Sequence, residues 1–174
     1  MPLLFFFSCA NLGNRIGADS YADSVVCYQQ ELLTQVDTFF QSLYYADYDA
    51  VEYYWKAVKQ LEHLRLQLDE LGDFRNDDIL YNESLNYCHN IDNLLAHEGK
   101  KLLELHEFKD GYGRFTWRKE IDSLLRASYH IVNTNQQAFD AVLAEFLDEN
   151  GFDVVMDTNM TSKSNFDHLP GYDR

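Results

Sequence analysis

Apolar residues recur every three or four positions through most of the chain, the spacing of side chains that share one face of an α-helix. The pattern predicts helices over about residues 20–46, 50–71, 77–109 and 114–150. Pro2 and Pro170 lie outside all of these stretches, so no proline interrupts them. No run of β-branched residues alternates with polar ones, and strands are therefore not predicted.

The links between these stretches are only a few residues long, and short links require consecutive helices to run antiparallel. The sequence therefore predicts an all-α fold, an antiparallel up-down four-helix bundle over residues 20–152. The last segment, residues 153–174, is polar and has no periodicity, which predicts a loose tail.

Residues that favour helix ends stand at several of these boundaries. Asp49 and Glu52 have the spacing of a capping box, and Asp77 or Asp78 can cap the third helix. Gly72 follows the last apolar residue of the second helix, as a C-terminal glycine does. Gly151-Phe152 predicts a Schellman motif at the end of the fourth helix.

Gly99 and two cysteines fall inside the predicted helices. A close approach by an aromatic side chain would explain a glycine at position 99, and a local kink is the alternative. Cys27 and Cys88 lie on different levels of the bundle, separated by about 12 Å of helix rise, beyond the roughly 7 Å between Cα atoms that a disulfide tolerates. Two separate, mostly buried thiols are therefore expected.

Composition narrows the function classes. The chain has 174 residues with 14 Lys+Arg against 29 Asp+Glu, a formal charge of −15. This balance argues against nucleic acid as a partner, since phosphate binding needs a basic surface. No stretch approaches the roughly 18 apolar residues of a membrane-spanning helix.

The first residues have the features of an export signal. An apolar run ends in Phe6-Phe7-Ser8-Cys9, which resembles the lipobox of bacterial lipoprotein signals. The resemblance implies that residues 1–9 are a truncated lipoprotein signal that ends at Cys9. It also implies that Cys9 carries the lipid and that residues 10–19 form a tether. Ala10 after the cysteine implies the outer membrane.

The search for catalytic or cofactor motifs finds no complete set. Glu-x-x-His pairs, a zinc-protease motif, a covalent haem motif, an EF-hand loop and a phosphate-binding glycine loop are all incomplete or missing. No catalytic residue, no cofactor and no enzyme activity are therefore predicted. His63, His89 and His130 come from three predicted helices at similar levels. They leave a metal- or haem-binding bundle as an alternative, with histidines at the rim of the core as the simpler interpretation.

Aromatic residues are concentrated where the first predicted helix meets the second. Six aromatics and three acids fall within residues 44–55. Aromatic side chains dominate the energetics of protein interfaces, so this segment is a candidate partner-binding site, while packing at the end of the core is the alternative. The candidate residues are Tyr44, Tyr45, Tyr48, Tyr53 and Trp55.

Together these features resemble exported helical-bundle lipoproteins of unknown function from Gram-negative bacteria. The lipobox-like segment carries the resemblance, and so does the ending from Gln136-Gln137-Ala138-Phe139 to Asn150-Gly151-Phe152. It implies a non-enzymatic, lipid-anchored protein of the cell envelope that binds another envelope or surface protein. A bundle with exposed aromatics can also form a homodimer. An acidic cytosolic adaptor or chaperone is the remaining alternative.

Overall fold

The structure is a computed structural model that describes residues 16–46, 48–75, 77–107 and 114–152. Its helices begin and end within two residues of most predicted boundaries. They are α1 (Ala18–Tyr44), α2 (Ala50–Leu71), α3 (Ile79–Leu94), a π-helical turn (Leu95–Gly99), α4 (Lys100–Glu107) and α5 (Arg114–Glu149). The described ranges contain no strand.

These elements form a helical bundle, as the sequence predicts. Because α3, the π-helical turn and α4 follow each other without a break, they act as one continuous helix, which gives four long helices. α1 packs on α2 and α5, and α3 packs on α2 and α5. The prediction of an all-α bundle is confirmed.

Contacts between distant residues fix which helix ends meet. The hydroxyl of Tyr21, near the start of α1, donates to the carbonyl of Gly72, after the end of α2, at 2.7 Å. The Tyr21 ring also contacts Phe146, near the end of α5, with centroids 5.7 Å apart. At the other end of α1, Arg118 of α5 contacts Tyr44. These pairs place the start of α1 beside the ends of α2 and α5.

The core is rich in aromatic rings that meet edge to face. Phe39 of α1 lies against Tyr54 of α2, and Phe40 lies against Tyr129 of α5, with centroids 5.4 Å and 5.1 Å apart. Burial removes these rings from water, and the tilted contacts add about 0.5–1.5 kcal/mol per pair. Burial also raises the pKa of Tyr129, so its hydroxyl stays protonated in the fold.

The predicted helix ends are only partly confirmed. Gly72 has φ 65° and its N–H donates to the Leu68 carbonyl at 2.8 Å. The Asp77 carboxylate accepts the N–H of Ile79 at 3.1 Å. The Schellman motif forms, with the N–H of Phe152 on the Leu147 carbonyl at 3.0 Å.

The prediction of a capping box at the start of α2 was wrong. Asp49 precedes α2, but its side chain makes no capping hydrogen bond. Glu52, the other half of the predicted box, instead forms an ion pair with Lys56 one turn further along, at 2.7 Å. The backbone explains the failure, since Asp49 has φ −90° and ψ 10°, outside the extended region from which an N-cap side chain reaches the first N–H groups of a helix.

The close aromatic approach predicted at Gly99 is confirmed. A Cβ at this position would lie 3.3 Å from the Tyr54 ring and 3.6 Å from the Phe39 ring, so the aromatics approach the backbone closely. The backbone there is also π-helical, and the Tyr54 hydroxyl donates to the Leu95 carbonyl at 3.3 Å. Aromatic packing from α1 and α2 and the local change of helix geometry thus occur together.

The two described cysteines are free thiols, as predicted, but only one is buried. Cys88 lies in the core, where burial raises the pKa of its thiol to about 11. Cys27 is exposed, contrary to prediction. It follows Val25 by two positions, about 200° around the helix, which turns it away from the core.

The remaining predicted segments fall largely outside the described residues. Residues 1–9, with Cys9, and the tail at 153–174 lie wholly outside them. The bundle begins at Ala18 rather than residue 20, so it takes in the end of the predicted tether. Within the described part of the chain, no helix combines the length and apolar character needed to cross a membrane.

Candidate functional site

The aromatic corner lies where α1 ends and α2 begins, and we define it as Tyr44, Tyr45, Tyr48, Tyr53 and Trp55. Three of its side chains face solvent: Tyr45 is 68% exposed, Tyr48 is 86% exposed and Trp55 is 54% exposed. Large aromatic rings rarely remain this accessible together, because burying each would stabilise the fold. The alternative of packing at the end of the core therefore does not describe these three rings.

The turn that carries the corner has an unusual backbone. Ala46, directly after Tyr45, has φ 55°, in the left-handed region that L residues with a side chain avoid. This conformation costs about 1–2 kcal/mol. It stops the helix from continuing past its C-cap residue, Tyr45.

Arg118 of α5 holds the inner side of the corner in place. Its guanidinium carbon lies 4.3 Å from the centroid of the Tyr44 ring, and its Nη1 donates to the Tyr44 carbonyl at 2.6 Å. Asp122 lies 3.4 Å from the guanidinium and orients it. The positive charge also complements the negative end of the α1 dipole. Tyr44 is thus a structural residue of the corner, and Tyr45 contacts it edge to face at 5.2 Å.

The α2 side of the corner rests on the core through Tyr54. Tyr54 is buried, and its ring contacts Trp55 edge to face at 5.3 Å. Tyr53 is half-buried and lies under the ammonium group of Lys56, 5.1 Å from its centroid. The exposed Trp55 ring therefore stands on a rigid support rather than on a flexible loop.

The corner thus combines a fixed base with exposed rings. Tyr44 and Tyr53 each hold a cation of the same chain over the ring face. Tyr45, Tyr48 and Trp55 offer further ring faces to solvent, in a protein with a net charge of −15. Such a surface can bury apolar groups and attract Arg or Lys side chains of a partner.

The three histidines of the metal alternative do not form a site. His63, His89 and His130 are all exposed, and His89 pairs with Asn93 at 3.1 Å. Among residues 16–46, 48–75, 77–107 and 114–152, no group of three or more His, Cys, Asp or Glu side chains could hold a metal ion. Each of the three positions lies beside its helix's apolar stripe, which turns the ring outward.

A groove with mostly polar lining residues lies apart from the aromatic corner. It has a volume of about 310 Å³ and runs between α5 on one side and α3 with the π-helical turn on the other. Its amides partly satisfy each other, since Asn90 donates to Asn135 at 2.9 Å. Its titratable groups, His97 and Glu98, are adjacent in sequence and point about 100° apart. The described residues that line it include no Ser, Thr, Cys or Lys side chain. The groove could not be predicted from the sequence, because its walls come from α3 with the π-helical turn and from α5, which are distant along the chain.

The comparisons with other proteins add no family. No protein-family model, no curated protein and no solved structure matches this chain.

Proposed function

We propose that this chain is a non-enzymatic protein-binding module that recognises its partner through the aromatic corner. The observation that carries the proposal is the exposure of Tyr45, Tyr48 and Trp55 on a base held by Arg118 and Tyr54. The Tyr45 and Trp55 rings each pack edge to face on a neighbouring ring, so these two side chains lose less conformational entropy on binding than unsupported rings would. The aromatic corner therefore favours recognition of a protein surface.

We further propose that the module is anchored to the cell envelope, at the outer membrane, by a lipid on Cys9. Support comes from the lipobox-like Phe6-Phe7-Ser8-Cys9. The mass of the N-terminal peptide, measured on protein from its own host with native upstream DNA, tests this part. A diacyl or triacyl group on Cys9 supports it. An intact Met1 contradicts it and favours the acidic cytosolic adaptor, which would use the same corner.

Site-specific photo-crosslinking in the native host tests the binding site. A photoreactive amino acid replaces Tyr48 in one strain and Ser123, an exposed residue of α5, in the control strain. We expect a discrete adduct from position 48 that position 123 does not give. Adding Tyr45→Ser and Trp55→Ser should remove it. Equal adducts from both positions, or an adduct that survives both serine substitutions, would contradict the proposed site.

A further inference from the structure

The outer face of α2 carries a second apolar pattern that the bundle does not use. Val51, Trp55 and Leu66 are exposed, and Leu66 is 61% exposed. At 100° per residue these three positions fall within about 60° of each other around the helix. Lys59 and Glu62 lie on the same side and are also exposed. We define the outer stripe of α2 as Val51, Trp55, Lys59, Glu62 and Leu66.

The order of residues along this stripe is self-complementary. Trp55 and Leu66 lie equally far from the midpoint between Gln60 and Leu61, and so do Lys59 and Glu62. When two copies of α2 pack antiparallel about a two-fold axis at that midpoint, residues at equal distances from it meet at one level. Trp55 then contacts Leu66 of the partner subunit, and Lys59 lies level with Glu62 of the partner subunit. The two-fold axis repeats both pairs.

The charges on α2 support a second copy of the chain as the molecule that covers this face. Lys56 is paired with Glu52, and Arg65 is paired with Asp92 at 3.0 Å. Lys59 and Glu62 make no ion pair within the described part of the chain. The two charges on the stripe that lack a partner in their own chain are thus the two that would meet across the axis.

The local charge also favours approach on this face. Residues 51–70, over which the two copies overlap, hold three bases against four acids, whereas the whole chain has a charge of −15. Two such acidic molecules repel each other less where this nearly neutral segment faces its copy than where more acidic surfaces meet.

We infer that α2 forms an isologous homodimer interface, with the outer stripe of one copy packed antiparallel on that of a second copy. Trp55 and Leu66 supply the apolar contacts, and the Lys59–Glu62 pairs set the register. The interface is small, so the dimer is weak and reversible rather than obligate.

Sedimentation equilibrium of the full, unlipidated chain under reducing conditions tests the interface. We expect a species of twice the 20.4 kDa chain mass at high concentration. Leu66→Ala and Trp55→Ala should each weaken dimerisation at least about tenfold, while exposed Ser123→Ala should not. A wild-type Kd weaker than about 1 mM, or a dimer that survives both stripe substitutions, would overturn the inference.

Charge reversal tests the register. Lys59→Glu and Glu62→Lys should each weaken the dimer, and the double variant should restore it, because the pair is re-formed with its signs exchanged. Glu62→Lys makes the whole chain less acidic, so general repulsion alone predicts a stronger dimer. Lys119 is an exposed residue of α5, and Lys119→Glu is the control for a charge change outside the outer stripe of α2. Failure of the double variant to restore dimerisation would overturn the antiparallel register.

The dimer and the proposed partner site share Trp55 but can be separated. Tyr45→Ser should reduce partner crosslinking from position 48 and leave dimerisation unchanged, because Tyr45 lies outside the outer stripe of α2. Leu66→Ala should leave partner crosslinking unchanged and weaken dimerisation. If Leu66→Ala abolishes the partner adduct and leaves the monomer–dimer equilibrium unchanged, the stripe binds another protein and the homodimer inference is wrong.

Discussion

Replacing Arg118 with methionine should destabilise the fold and loosen the aromatic corner. Arg118 lies over the Tyr44 ring and donates to the Tyr44 carbonyl at the C-terminus of α1. The contact with the ring contributes about 0.5–1 kcal/mol and the charge at the helix end about 0.3–1 kcal/mol. The charged hydrogen bond contributes about 1.5 kcal/mol. Because the side chain is partly exposed, we take the lower values and expect a loss of about 2 kcal/mol.

Urea denaturation of the full chain measures this loss as a lower midpoint with an unchanged m-value. Arg118→Lys should lose about half as much, since lysine keeps the charge but not the flat guanidinium. Arg126→Met is the matched control. Arg126 lies on the same helix, is exposed, and should change stability by less than about 0.5 kcal/mol. Equal stability of the Arg118→Met and Arg126→Met variants would refute the assignment of Arg118 as the support of the corner.

Three further substitutions and treatments test the fold. Gly72→Ala should cost about 1–3 kcal/mol in urea denaturation, since φ 65° and ψ −168° are accessible to glycine alone. Gly17→Ala should cost less, because φ −72° suits any residue and the added Cβ displaces only the end of the Asp19 side chain. In the native protein a thiol reagent should modify Cys27 rapidly and Cys88 only after unfolding. Peptide masses measured over time give the two modification rates. Equal rates would contradict the burial of Cys88. Burial raises the pKa of Asp140 above 3.8, which means that the charged carboxylate lowers the free energy of unfolding. Asp140→Asn should therefore be more stable than wild type at pH 7, and the difference should shrink as the pH falls through the raised pKa towards 3.8. A constant difference in denaturation midpoint across that range would exclude this cause.

The helices could be predicted because their signal is local. α2 begins and ends where the apolar spacing and Gly72 predict, at Ala50 and Leu71. The third helix was predicted without its π-helical turn. That turn depends on where Phe39 and Tyr54 place their rings beside Gly99, and these contacts come from other helices. Periodicity within one segment contains no information about them.

The aromatic corner could be predicted only in part. The density of rings in residues 44–55 was visible in the sequence, but whether they face the core or solvent was not. Tyr54 turned inward, whereas Tyr48 and Trp55 turned outward. The role of Arg118 was also missed, since it lies 74 residues from Tyr44 and no spacing rule connects them. The exposure of Cys27 could have been predicted, because a residue two positions after the core residue Val25 points away from the core whatever its apolar character.

The affinity of the crosslinked partner for variants of the corner tests the central claim most directly. Once the adduct from position 48 identifies the partner, its Kd is measured for the wild-type chain, Tyr48→Ala and Ser123→Ala. Tyr48 is the most exposed ring of the corner and lies outside the outer stripe of α2. We predict that Tyr48→Ala raises the Kd at least about tenfold and that Ser123→Ala leaves it unchanged. Equal affinities of all three chains would contradict the account, because binding would not then depend on the aromatic corner.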